Sequence, residues 1–203
     1  MKKEASLQKS VNTKILAKVG VLSAVAAVIM ILEFPLPFAP SFYKLDFSEV
    51  PVLVGALALG PMAGVAIEFI KILLNFVLNG TITAGVGELA NFFIGCSLVV
   101  PAAIIYRKNK TFNNAIIGLI VGIFSLAIVG AVLNYFVLLP VFSTAFGAPL
   151  QSFIDMGNVI NKYIVDLKTL VLYAVVPFNL VKGIIVSTIT ILIYKRLSPI
   201  LHK

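Results

Sequence analysis

VPVLVGALALGPMAGVAIEFIKILLNFVL, Val50 to Leu78, is an apolar stretch of 29 residues interrupted once, at Gly60-Pro61. It is either one tilted helix or two shorter helices folded at that break, and the choice fixes the topology of everything after it. A helical membrane span takes about 20 residues. If the stretch crosses once, the basic cluster Arg107, Lys108 and Lys110 falls on the side opposite the N-terminal lysines. If it crosses twice, that cluster, the N-terminal Lys2, Lys3, Lys9, Lys14 and Lys18, and the C-terminal Lys195, Arg196 and Lys203 share one side, which the positive-inside rule makes cytoplasmic. Two crossings are therefore expected, the first short, about Val50 to Leu59, and such short spans line or cover a protein-filled interior.

The remaining spans follow outward from this stretch. Ile15 to Phe34 is long enough to cross and lacks the small-residue cleavage pattern of a removable signal, so it reads as a retained span. Between it and Val50 lies a loop in which Pro35, Pro37 and Pro40 deny helix. Further spans are read at about Gly85 to Tyr106, Ala115 to Leu139 and Leu170 to Tyr194. The expectation is an all-α integral membrane protein of six transmembrane helices with both termini cytoplasmic, residues 1–203 forming a single membrane domain. The outer side then carries the Pro35 to Asp46 loop, a turn around Asn79 to Thr83, and a long segment from Pro140 to Lys168.

Composition agrees. The 203 residues are 60% hydrophobic and 12% charged, with a mean hydropathy of +1.08, whereas soluble domains run at about 45–50% and about 25%. The net charge of +8 would suit nucleic acid, but 11 of the 16 basic residues sit in the three clusters named above, so the charge sets topology and no nucleic-acid partner is expected. With one cysteine, Cys96, and one histidine, His202, neither an internal disulfide nor a Cys/His metal site is expected. No P-loop and no serine with an adjacent base occurs, so no catalytic residues, no cofactor and no enzyme activity are expected.

An ionisable group within a span costs about 2.5–3.5 kcal/mol at the bilayer centre and is a functional candidate by default. Glu88 opens the fourth span, Asn134 lies near the outer end of the fifth, and Asn179 and Lys182, three apart on one helix face, stand in the sixth. The span directions put all four in the outer half, as a polar-lined pocket open to the exterior. The alternative is that they pair with one another as interhelical glue, Glu88 with Lys182. Glu68, Lys71 and Asn75, at i, i+3 and i+7 on the third span, form a second set in which Glu68 and Lys71 neutralise each other. Glu33 reads as interfacial. On the first span Gly20, Ser23, Ala24 and Ala27 make a small-residue stripe that permits close helix approach, either within the monomer or on a partner.

The segments FPLPFAPSFYKLDFSEVP (34–51), LGPMAG (59–64), GELANF (87–92), Asn134-Tyr135 and PFNLVKG (177–183) together resemble the riboflavin-specific S components of bacterial energy-coupling factor (ECF) transporters, over nearly the whole chain. The resemblance implies the S-component fold, six helices with an outward-facing pocket, in a bacterial cell membrane. It implies riboflavin as the transported ligand, with flavin mononucleotide as a further candidate, and partners in a transmembrane coupling subunit and two ATPase subunits. Carried over by motif, Glu88, Asn134, Asn179 and Lys182 become polar contacts of the vitamin, and Asp46 and Leu45, within the loop Tyr43 to Phe47, become its lid. The docking face falls on Gly20, Ser23, Ala24 and Ala27, where glycine and serine stand at two positions that are alanine in the family's pattern. A membrane-embedded enzyme using Glu88 and Lys182, an S component for another vitamin, and a proton-coupled carrier using Glu68 and Lys71 remain the alternatives.

Overall fold

A computed structural model describes residues 13–201, with side chains through Arg196; Lys2, Lys3, Lys9, His202 and Lys203 lie outside the described residues. The helices are α1 (Thr13–Ile31), α2 (Glu49–Leu59), α3 (Pro61–Asn79), α4 (Val86–Lys108), α5 (Phe112–Leu133), α6 (Leu139–Ala145), α7 (Leu150–Ile160), α8 (Leu167–Leu170) and α9 (Val176–Leu201). Single π turns, Asn134–Leu138 and Val171–Val175, join α5 to α6 and α8 to α9, so that 112–145 and 167–196 each run as one long apolar rod. Among the described residues, five helical stretches are long and apolar enough to cross a membrane: α1, α3, α4 and these two rods.

The stretch Val50 to Leu78 is two helices. Gly60 joins them at φ 108°, a conformation that favours glycine, and Pro61 begins α3 where its missing N–H costs nothing. α2 has 11 residues and rises only about 16 Å. It is apolar on every side and its residues from Glu49 to Leu57 are all buried, packed among α1, α3, α4 and α9. Because α2 is so short, its N-terminal end meets the middle of α3 rather than its far end: Glu49 pairs with Lys71. Arg107 reaches to within 3.3 Å of where a Cβ on Gly60 would lie, and the Tyr194 hydroxyl donates to that of Tyr106 at 3.3 Å. The α2–α3 joint, the basic end of α4 and the basic end of α9 therefore share one end of the bundle.

Several boundaries differ from the sequence reading. α1 ends at Ile31, and Phe34 belongs instead to a two-residue strand, β1 (Phe34–Pro35), paired antiparallel with β2 (Lys44–Leu45); Phe34 lies opposite Leu45 and Pro35 opposite Lys44. The all-α expectation thus misses one small bridge, which closes the proline-rich loop on itself. The fifth span continues past Leu139 to Ala145, and the segment after it carries the amphipathic helix α7, which buries Phe153, Ile154 and Gly157.

Two apolar clusters result. One, with Val52, Leu53, Ile67, Leu98, Leu119 and Val186, fills the space between α1–α5 and α9. The other, with Tyr43, Leu45, Leu139, Phe153, Leu170 and Phe178, joins the 32–48 loop to α6, α7 and the start of the last rod. The polar site lies between them.

Candidate ligand-binding site

The cavity between the two clusters has a volume of about 340 Å³, within the range of about 300–1,000 Å³ typical of small-molecule sites. Its apolar walls include Leu126, Leu138, Phe142, Phe146 and Phe178. Phe142 and Phe146, four apart, share one helix face. Its polar lining comes from the loop (Glu33, Tyr43, Lys44, Asp46, Ser48), from α2 and α3 (Glu49, Lys71), from Asn91 on α4, from Asn134, and from Asn179 and Lys182 on α9.

Asn134 begins the first π turn, where the Leu139 N–H donates to the Asn134 carbonyl five residues back. Its side-chain Nδ2 donates to the Gly130 carbonyl at 2.8 Å, which leaves Oδ1 to accept the Tyr43 hydroxyl at 2.8 Å. Burial pushes the Tyr43 phenol well above its ordinary range, so it stays a donor. Asn179 likewise donates to its own helix, Nδ2 to the Val175 carbonyl at 2.9 Å, which leaves its Oδ1 as an acceptor beside the cavity. Gly130 admits Asn179: a Cβ there would lie 2.8 Å from Asn179 Nδ2.

Lys182 Nζ donates to Asp46 Oδ2 at 3.0 Å and so ties α9 to the loop. The other oxygen of Asp46 accepts the Ser48 N–H at 2.8 Å and shapes the chain as it turns into α2. Burial works against the Asp46 charge, but Lys182 and Lys71 outweigh it and hold the carboxyl well below the usual carboxylate range. A second ion pair, Lys44 with Glu33, spans the base of the same loop beside the β1–β2 bridge.

The sequence-derived residues are thus brought together only in part. Asn134, Asn179, Lys182 and Asp46 all line the cavity. Glu88 does not. Its Oε2 accepts the Thr81 hydroxyl at 3.0 Å and the Thr83 hydroxyl at 3.4 Å, within the α3–α4 turn. Asn91, three residues on and on the same face of α4, is the residue that reaches the lining. The alternative reading, in which Lys182 pairs with Glu88, is overturned: Lys182 pairs with Asp46. The side chain of Leu45, 1% exposed, packs in the second apolar cluster, with Tyr43 and Phe178, rather than in the cavity wall. Glu33, interfacial by its place in the sequence, pairs with Lys44 and lines the cavity. Glu68 and Lys71 are buried together as expected, but Asn75 accepts from Asn79 at 2.7 Å instead. The small-residue stripe splits. Ser23 and Ala27 are buried inside the chain, Ser23 Oγ donating to the Val19 carbonyl, whereas Gly20 and Ala24 are exposed, with nothing within 4 Å of a Cβ placed on Gly20.

Residues 14–194 match the family described as ECF transporter, substrate-specific component. The chain belongs to this family. S components are parts of transporters and not enzymes, and with its apolar rods this one is a multi-pass protein of the cell membrane. Among the relatives of this S component, "Riboflavin transporter RibU" of Staphylococcus aureus is 36% identical over 192 residues, covering 95% of this chain and 94% of the relative. "Riboflavin transporter FmnP" of Bacillus subtilis is 34% identical, covering 93% and 94%. A solved structure, described as the S component of a bacterial ECF transporter, superposes with a TM-score of 0.73 at 34% identity over 95% of this chain and all of the other.

Proposed function

We propose that this S component captures riboflavin from outside the cell and hands it inward with a coupling subunit and two ATPases. The observation that carries the reading is the cavity itself, in which amide acceptors and a Lys–Asp pair face aromatic and aliphatic walls. Isoalloxazine has a flat apolar body with an edge of acceptors and an imide donor, and the free carboxamide oxygen of Asn179 suits that donor. The ribityl hydroxyls each need a partner once buried, at a cost of about 1–3 kcal/mol for each left unpaired. Lys182, with three donors, Asp46 and Asn134 supply partners, and Asn91 adds an amide from α4, the place the sequence reading gave to Glu88. The loop Tyr43 to Phe47, with Leu45 anchoring it from below, acts as the lid.

The topology that serves this function has six crossings, α2 completing its own only together with the loop that precedes it, and both termini in the cytoplasm. The bundle end that gathers Arg107, Lys108, Lys195 and Arg196 is the cytoplasmic end by the positive-inside rule, and residues 1–203 work as one membrane domain. Docking on the coupling subunit falls to Gly20 and Ala24, the exposed half of the small-residue stripe.

The test is direct. Protein purified from riboflavin-fed cells should be yellow, and titration of ligand-free protein should quench flavin fluorescence with one-to-one stoichiometry in the absence of ATP or any other subunit. A well-folded preparation that quenches nothing would refute the riboflavin reading. Flavin mononucleotide, which keeps the ring and the ribityl chain, is the first competitor to titrate.

A further inference from the structure

At the floor of the cavity, around the N-terminal end of α2, lies a cluster of charge in which Glu49 and Lys71 reach the lining and Glu68 lies behind them. Lys71 Nζ lies 2.8 Å from Glu49 Oε1 and 2.8 Å from Glu68 Oε1, and all three side chains are at most 5% exposed. The ammonium makes hydrogen bonds to Glu49 Oε1 and, at 3.3 Å, to Ser48 Oγ, while its approach to Glu68 is an ion pair without hydrogen-bond alignment. Gly95 of α4 makes room for both acids: a Cβ there would overlap Glu68 Oε1 and lie 3.0 Å from Glu49 Oε1. Glu49 Oε2 and Glu68 Oε2 are buried and have no hydrogen-bond partner, and Glu68 Oε1 has only its ion pair with Lys71.

The charges do not balance. Three carboxylates, Asp46 from the loop, Glu49 from α2 and Glu68 from α3, face two ammonium groups, Lys71 from α3 and Lys182 from α9. Around them α4 contributes Gly95 and the thiol of Cys96, together with the neutral amide Asn91. α1 packs against α2 and α3 through Val19, Ser23, Ala26 and Ala27, and its lysines, Lys14 and Lys18, lie in its first two turns. One negative charge is thus left over at membrane depth, where an uncompensated ion costs far more than its protonation. Two carboxylates held on one ammonium cannot both stay ionised cheaply, and acceptor-only oxygens with nothing to accept gain a donor when one acid is protonated.

We infer that Glu49 and Glu68 form a proton-binding site that holds a single proton between them, so that the cluster is neutral whether or not the cavity is filled. The site needs no ligand and does not depend on which vitamin the cavity takes. It also gives Gly95 a purpose, since any larger residue would displace the pair of acids that share the proton.

The experiment is infrared spectroscopy of the purified full-length chain at about pH 7, where ordinary carboxyls are ionised. A buried neutral carboxyl gives a C=O band above the amide bands that shifts down in heavy water. Wild type should show this band. Glu68→Gln removes one negative charge, so the remaining Asp46, Glu49, Lys71 and Lys182 balance and the band should vanish. Glu49→Gln should abolish it for the same reason. Both variants preserve side-chain volume, and if one fails to fold the other decides. Absence of the band from folded wild type would overturn the inference, and so would a band that survives in either variant.

Discussion

Replacing Lys182 with Met tests how the loop and the last helix work as one unit. The Lys182–Asp46 contact is 3.0 Å long and its side chains are 16% and 9% exposed. At an effective dielectric of about 20 the gross attraction at that distance is about 5 kcal/mol. Most of it offsets the desolvation of both groups, leaving a net worth of about 1.5–3 kcal/mol, the range for hydrogen bonds involving a charged group. Lys182→Met keeps the length and apolar bulk while deleting the donors, so riboflavin affinity should weaken about 10- to 150-fold. Asp46→Asn should weaken it less, because Asn retains an acceptor for the Ser48 N–H. The diagnostic measurement is the double variant, with dissociation constants from flavin fluorescence quenching. If the pair acts as a unit, the second substitution adds little to the first, and the cycle returns a coupling about equal to the whole effect of Asp46→Asn alone. Free energies that simply add would show that the two residues serve the ligand separately. Unchanged affinity with a lowered thermal midpoint would show that Lys182 serves only the fold.

Three further outcomes are expected. Tyr43→Phe strands the buried Oδ1 of Asn134 at a cost of about 1–3 kcal/mol, so the thermal midpoint of the ligand-free protein should fall, and saturating riboflavin should restore more of it than in wild type if the vitamin donates to the vacated acceptor. Gly20→Leu should leave folding and riboflavin binding intact yet abolish uptake in cells and capture of the coupling subunit, whereas Ser23→Leu, at a buried position, should lower the thermal midpoint by overpacking. Because the Asp46 carboxyl is held below its ordinary range, its stabilising contribution is complete above about pH 4 and is lost as pH falls from there through the lowered value; thermal midpoints measured from about pH 6 down to about pH 2 should drop more steeply for wild type than for Asp46→Asn.

The elements legible in the sequence were those with a local cause. Gly60-Pro61 marks the α2–α3 joint because a positive-φ glycine and an N1 proline each have only a few places in a chain. Asn179 and Lys182 share a face because regular helix separates them. What escaped depends on contacts across the fold. Nothing near Asp46 announces that Lys182, 136 positions away, will be its partner, and Glu88 is satisfied within its own turn by the Thr81 and Thr83 hydroxyls rather than across the bundle. The small-residue stripe reads as continuous on paper, but only the neighbours of α1 decide that Ser23 and Ala27 face inward while Gly20 and Ala24 face out. The sharing of Lys71 between two acids was half visible as an i, i+3 pair; the other half required α2 to be too short to carry Glu49 past the middle of α3.

The π turns have an implication for how such a scaffold changes its cargo. Each is one surplus residue in a rod that otherwise advances about 100° per residue. Straightening the Asn134–Leu138 turn into regular helix with that residue kept would swing everything beyond it, Phe142 and Phe146 included, by roughly a quarter turn relative to Gly130. The lipid-facing surface tolerates such a rotation, since α6 is apolar nearly all round, but the aromatic wall of the cavity would be exchanged for a different set of side chains. Converting a π turn to regular helix with its residue kept is therefore a route to a new ligand that leaves the α2–α3 end of the bundle in place, a step that a substitution confined to the cavity wall does not reproduce.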